Sequence, residues 1–215
     1  SQVSLQLVFG LGVALLLNQK FKGRGAIRAV VFVPWAISGV LTSVIWMLMY
    51  NEHMGVFNDI LMRLGIIDTP AAFLASTGSA FFAVVIAELW RGIPFFAVTL
   101  LASLQTIPED MYEAARVDGA SRFQQLFYIT LPQLKRTIVL TTLLRSVWEF
   151  NNVDLLYNLT GGGPANSTMT YAMYIANTAV NGTNFGYGSA LTVVAFVILS
   201  IVAAVYLKIS KFEEE

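Results

Sequence analysis

From Ala29 to Tyr50 the chain runs 22 residues without an Asp, Glu, Lys or Arg, and that run limits the fold more than any other feature. About 20 apolar residues in a helix cross the hydrocarbon core of a bilayer, and inside it every backbone amide must be satisfied within the segment. Four further stretches read the same way: Val3–Leu17, Ser79–Leu104, Ile138–Leu156 and Ser189–Leu207. The expectation is an all-α, polytopic membrane helical bundle with five helices. Composition agrees, since charged residues make up 12% of the chain, about half the share of a soluble domain.

The same composition excludes several function classes. Net charge is zero, so nothing favours a nucleic-acid partner. The chain has no Cys, which removes disulfides and thiolate metal sites. His53, the single histidine, reads as an ordinary loop residue, and no metal site is expected. The chain opens at Ser1 with no basic leader and no cleavage site, which is not a signal-peptide pattern; we expect an upstream helix to be missing.

Basic residues orient the spans, because cytoplasmic connections collect Lys and Arg. Lys20, Lys22, Arg24 and Arg28 lie in the first connection, Arg116, Arg122, Lys135 and Arg136 in the third, and Lys208 and Lys211 in the tail. The other two connections, 51–78 and 157–188, hold only Arg63. The expected topology therefore puts 106–132 and the C-terminus in the cytoplasm and 157–188 outside. In that outer segment Gly161-Gly162-Gly163-Pro164 must be irregular, and Met169, Met173, Ile175, Ala176 and Val180 mark a short helix. Three Asn-x-Ser/Thr sites, at Asn158, Asn166 and Asn181, read equally as glycosylation sites or as chance matches in an Asn/Thr-rich loop. The acidic end Glu213–Glu215 reads as a frayed tail.

Residues 106–132 read as a polar helical hairpin. Thr106 and Glu109 have capping-box spacing, Glu109, Asp110 and Glu113 suit a helix N-terminus, and Gly119 suits a left-handed helix end. Ser121-x-x-Gln124 then opens a second helix, with Phe123, Leu126, Phe127 and Ile129 on its apolar side, and Leu131-Pro132 is expected to end it. Read alone, the pair is a linker between spans. Its motif is more specific: Glu113-Ala114-Ala115, then Gly119 after Asp118, then Ile129-Thr130-Leu131-Pro132. This resembles the cytoplasmic EAA loop in permease subunits of binding-protein-dependent ABC importers. The resemblance implies a type I ABC importer transmembrane domain over 1–215, in the inner membrane of a bacterial or archaeal cell. It implies that the hairpin docks on a separate ATPase, with Glu113, Ala114, Ala115, Asp118 and Gly119 as coupling residues. Expected partners are a second permease subunit, two ATP-binding subunits and an extracytoplasmic sugar-binding protein. No Walker G-x-x-x-x-G-K-[ST] occurs in the chain, so ATP and Mg would be bound by the partner ATPase, and no cofactor is expected here.

Ionisable residues inside a span are costly and point to function. The third span carries Glu88 and Arg91 at i,i+3, and the fourth Arg145 and Glu149 at i,i+4, with Asp154 near its outer end. Each pair could neutralise itself along its own helix. In the other reading, Glu88, Arg91, Gly92 and Phe95 form one stripe and Arg145, Trp148, Glu149 and Asn152 another, and both face a shared cavity. Carboxyl, amide and guanidinium groups beside aromatic rings suit a sugar, and Pro94 after Gly92 would loosen the third span at that depth. Trp90-Arg91-Gly92-x-Pro94-Phe95, Trp148-x-Phe150-Asn151 and Leu159-Thr160-Gly161-Gly162-Gly163-Pro164 resemble the carbohydrate branch of the importers, which includes the larger maltose permease subunit. There, by resemblance, the matching positions line the sugar site. Two alternative readings are an intramembrane hydrolase using Glu88 and Glu149, and a purely structural membrane subunit.

Overall fold

The computed structural model describes residues 2–210; Lys211 and the acidic end Glu213–Glu215 lie outside them. Among the described residues there is no strand, and the helices are α1 (Gln2–Asn18), α2 (Arg24–Ala36), α3 (Gly39–Met49), α4 (Val56–Arg63), α5 (Thr77–Leu104), α6 (Glu109–Val117), α7 (Arg122–Gln125), α8 (Leu131–Phe150), α9 (Asp154–Thr160), α10 (Tyr171–Ala176) and α11 (Phe185–Ile209). π-helical turns at Leu126–Thr130 and Asn177–Asn181 follow α7 and α10. Of these, α5 and α11 are each long and apolar enough to cross a membrane, and α2 with α3 would add a third span if taken together. Helix α1 is apolar but shorter.

Three sequence expectations need correction. The charge-free run Ala29–Tyr50 is not one helix: α2 stops at Ala36, and the hydroxyl of Ser38 accepts from the Leu41 amide to start α3 afresh. Ser favours such a cap, and hydropathy does not register it. The expected span Ile138–Leu156 is likewise broken, for α8 ends at Phe150 and α9 starts at Asp154. The side chain of Asn151 donates back to the Val147 carbonyl at 2.9 Å, the local competition that ends helices at Asn. Lastly, Leu131-Pro132 does not end the second hairpin helix. Pro132 is the second residue of α8, directly after the π turn, where the wider backbone eases the clash a proline ring makes with the preceding turn.

The described chain forms two compact units. The first comprises the described parts of Ser1–Trp35, Gly92–Ser146 and Ile201–Glu215. Its core is Ala14, Leu17, Phe95, Phe96, Leu100, Leu101, Leu104 and Leu134. Apolar side chains gain little from leaving lipid, so helices there associate through close packing and small residues. Gly10 serves this purpose: a Cβ on it would stand 2.4 Å from that of Phe96, so only glycine lets α1 lie this close to α5. Ser103 and Thr137 share a hydroxyl hydrogen bond of 2.9 Å between α5 and α8.

The second unit comprises Ala36–Arg91 and Val147–Ser200. Here Trp46 and Tyr50 of α3 pack with Ala83, Val84 and Ala87 of α5 and with Leu155, Leu156 and Leu159 of α9. Phe57 stacks on Trp46 at 5.7 Å, and Trp90 meets that ring edge-on at 5.8 Å. The Tyr50 hydroxyl donates to the Ala83 carbonyl at 2.9 Å, giving the phenol the partner it needs when buried. Buried Asn58 organises the connection 51–78: its amide donates to the carbonyls of Asn51, Glu52 and Ala71 and accepts from the Ala71 amide. In the segment 157–188, Gly161 and Gly162 take positive φ of 61° and 88°, as a glycine run there requires. The short helix expected after it is α10.

Candidate functional site

The hairpin is built from local rules. Glu109 and Asp110 occupy the first turn of α6 and Arg116 the last, which suits the helix dipole at both ends. Gly119 sits at φ +79°, the Gly119 amide donates to Arg116 and the Ala120 amide to Ala115, so the last carbonyls of α6 are satisfied. Ser121 and Gln124 form the complete reciprocal capping box of α7. Thr106, by contrast, does not cap α6. Its hydroxyl donates back to the Ser103 carbonyl at 2.8 Å, and the residue before α6 is Pro108, with no side-chain cap. The Tyr112 and Thr130 hydroxyls, 3.0 Å apart, tie α6 to the π turn.

The coupling candidates lie on one accessible corner: Glu113, Ala114, Asp118 and Gly119 are exposed and Ala115 is half-buried. On the apolar side of the second helix Phe123 and Phe127 are exposed, as are Val117 and Tyr128. Large exposed apolar side chains grouped in this way mark an interaction surface, for a protein or for a membrane. Glu113 and Arg116 form an exposed pair at 3.6 Å, which contributes little to stability and leaves both groups open to a partner.

The candidate substrate residues divide between the two units. In the second unit are Glu88, Arg91, Trp148, Glu149 and Asn152. Glu88 is 1% exposed, and its carboxyl accepts from the Asn152 amide at 2.5 Å. The break after α8 makes this possible, since it frees Asn152 from the helix. Arg91 and Asp154 gather at the start of α3, where a Cβ on Gly39 would stand 3.6 Å from an Arg91 terminal nitrogen and 3.1 Å from the Asp154 Cβ. Trp148 is 44% exposed.

Gly92, Phe95 and Arg145 belong to the first unit. Buried Arg145 donates through Nε to the Gln6 side-chain oxygen at 2.9 Å. Gly92 makes room for that amide, because a Cβ on it would fall between 2.2 and 2.6 Å from the Gln6 amide atoms. Phe95 lies in the core, 7% exposed, edge-on to Phe96. Helix α5 is continuous through Pro94. Gln6 is the residue that sequence reasoning missed. A lone amide in the apolar run of α1 was the available signal, and its partner, 139 positions away, was not visible.

The family described as binding-protein-dependent transport system inner membrane components matches residues 6–211. A trehalose/maltose transport system permease protein of Thermococcus litoralis is 43% identical over 213 residues, covering 99% of this chain and 71% of that protein. A sulfoquinovosyl glycerol transport system permease protein of Agrobacterium fabrum is 40% identical over 208 residues, covering 97% and 67%. Among solved structures, a chain of a bacterial ABC transporter involved in import of the acidic polysaccharide alginate superposes with a TM-score of 0.83 at 22% identity, covering 98% of this chain and 75% of that one. At that identity the likeness establishes the fold.

Proposed function

Because the chain belongs to the family of binding-protein-dependent transport system inner membrane components, we propose that it is the permease subunit of an ATP-driven sugar importer. The observation that carries this reading is the exposed hairpin with Glu113, Ala114 and Ala115 on α6, a left-handed Gly119 corner and the Ser121–Gln124 capping box, in a chain whose relatives are named as sugar permeases. Family membership makes the chain a membrane-embedded transport component, and the hydrolase alternative falls with it.

In the proposed assembly the chain pairs with a second permease subunit. Two ATPase subunits bind ATP and Mg, and the hairpin rests on one of them. An extracytoplasmic binding protein delivers the sugar; a related solved structure of the alginate transporter includes such a periplasmic protein with a bound pentasaccharide. Within the second unit, Glu88 with Asn152, Arg91, Trp148 and Glu149 would supply hydroxyl partners and a ring face for the sugar. Uptake by proteoliposomes holding the complete complex tests this. Uptake of trehalose, maltose or a related glycoside should require both ATP on the ATPase face and loaded binding protein on the opposite face. Transport without ATP, or hydrolysis of the sugar by this chain alone, would reject it.

Topology is a separate expected outcome. The first connection and the hairpin meet through Lys20 and Glu109, 3.4 Å apart, which supports placing both on one side. A reporter active only in the cytoplasm should be active when fused at Arg122 and silent at Gly162. The reverse pattern would overturn the orientation drawn from the basic residues.

A further inference from the structure

The first unit contains a cavity of about 660 Å³ at the base of the hairpin. Lys20, Arg24, Arg28 and Arg116 line it, together with the Glu109 carboxyl and the Tyr112 side chain. A second cavity, of about 390 Å³, is lined by Lys20, Phe21, Lys22 and Arg24, so the two share a pair of cations. Four cations against one carboxyl make the larger cavity a site for an anion.

Its parts have different strengths. Arg28 donates through Nη2 to the Leu17 carbonyl at 3.2 Å and so satisfies an open carbonyl in the last turn of α1. Its Nε is buried and has no acceptor among the described residues. Such a donor is costly, and the same Arg28 side chain lines the cavity. The Lys20–Glu109 pair is exposed on both sides, screened by solvent and weak, so an incoming anion can readily replace the carboxyl. Beside the cations, Phe21, Ile27 and Val30 expose apolar side chains. A free phosphate would have no use for these, whereas acyl chains would.

We propose that this cavity holds the phosphate of an anionic phospholipid of the cytoplasmic leaflet. Basic recesses between membrane helices on that face recognise such headgroups. The inference rests on the topology proposed above and is independent of the sugar reading. Its consequence is mechanical: Arg116, on the same side of α6 as the cavity, is also the partner of Glu113. A bound headgroup therefore ties the coupling hairpin to the membrane surface.

The test is lipid retention by the purified complete complex, measured by native mass spectrometry after exchange into phosphatidylglycerol or phosphatidylcholine. Wild type should hold phosphatidylglycerol in preference to phosphatidylcholine. The variant K20Q/R24Q/R28Q should hold it roughly a hundredfold more weakly, at about a factor of five for each lost cation. Arg28→Lys, which keeps the charge, should retain most of the affinity. If the triple variant does not assemble, K20Q/R24Q alters only exposed residues and should still show a loss of at least tenfold. Equal retention by wild type and K20Q/R24Q, or no preference between the two lipids, would overturn the proposal. Displacement of phosphatidylglycerol by millimolar inorganic phosphate would also overturn it, assigning the cavity to a soluble phosphate. A wrong topology would show separately, as a silent reporter at Arg122.

Discussion

Gly119→Val should leave a complex that assembles and hydrolyses ATP but no longer imports sugar. Gly119 stands at φ +79°, a region where a β-branched residue is an outlier. Nothing lies within 4 Å of where its Cβ would be. The damage would therefore come from backbone strain alone, of about 1–3 kcal/mol, and not from a steric clash. The chain would relieve that strain by opening the corner between α6 and α7, whose closing bonds run from the amides of Gly119 and Ala120. Glu113 and the exposed Phe123 would then lose their fixed relation, and a docking face that must transmit motion would become loose. Stimulation of ATP hydrolysis by loaded binding protein should disappear, and uptake per assembled complex should fall at least tenfold. Gly119→Asn is the informative companion, since Asn tolerates the left-handed region; it should recover most of the coupling. Normal uptake by Gly119→Val would remove the corner from the mechanism.

What the sequence revealed, and what it hid, follows from the range of the forces involved. Helices α1, α5 and α11 were legible because uniform apolarity over more than a dozen residues has few folded outcomes in a bilayer. Gly119 and the Ser121–Gln124 box were legible because each closes its bonds within a few residues. The break between α2 and α3 was hidden by the hydropathy of its flanks, although Ser38-Gly39 carried the signal. The break after α8 was hidden in the same way. There the Asn151 side chain turns back onto the Val147 carbonyl, an effect that hydropathy does not register. Thr106 had the spacing of a cap, but a nearer carbonyl at Ser103 took its hydroxyl. Gln6 and Asn58 were hidden for a different reason. A buried amide has meaning only through partners that the fold brings to it, and no local pattern names them.

The pair formed by Glu88 and Asn152 leads to the second expected result: Asn152→Ala should cost about ten- to hundredfold in uptake at limiting sugar. Glu88 is buried, and its carboxyl takes a short hydrogen bond from the Asn152 amide. If the Asn152 amide also meets a sugar hydroxyl, removing it withdraws a hydrogen bond worth about 1–3 kcal/mol, and 1.4 kcal/mol corresponds to a factor of ten. Two readings give the pair different work. If it only holds the start of the α8–α9 break against α5, Asn152→Ala should lower the melting temperature of the complex and leave uptake per assembled complex unchanged. If it also meets the sugar, the half-saturating sugar concentration should rise whether or not stability falls. Trp148→Ala separates the readings further, because its ring is 44% exposed and uptake can be compared with the melting temperature of the same complex. Its loss should weaken uptake by roughly a factor of two to ten, the value of one aromatic contact. Asn152→Asp places a second carboxyl group against Glu88 and should be at least as damaging as alanine. Glu88→Gln keeps an acceptor for the Asn152 amide and should be the mildest of the set. Unchanged uptake in both Asn152→Ala and Trp148→Ala, corrected for the amount of assembled complex, would reduce these residues to structural supports of the second unit.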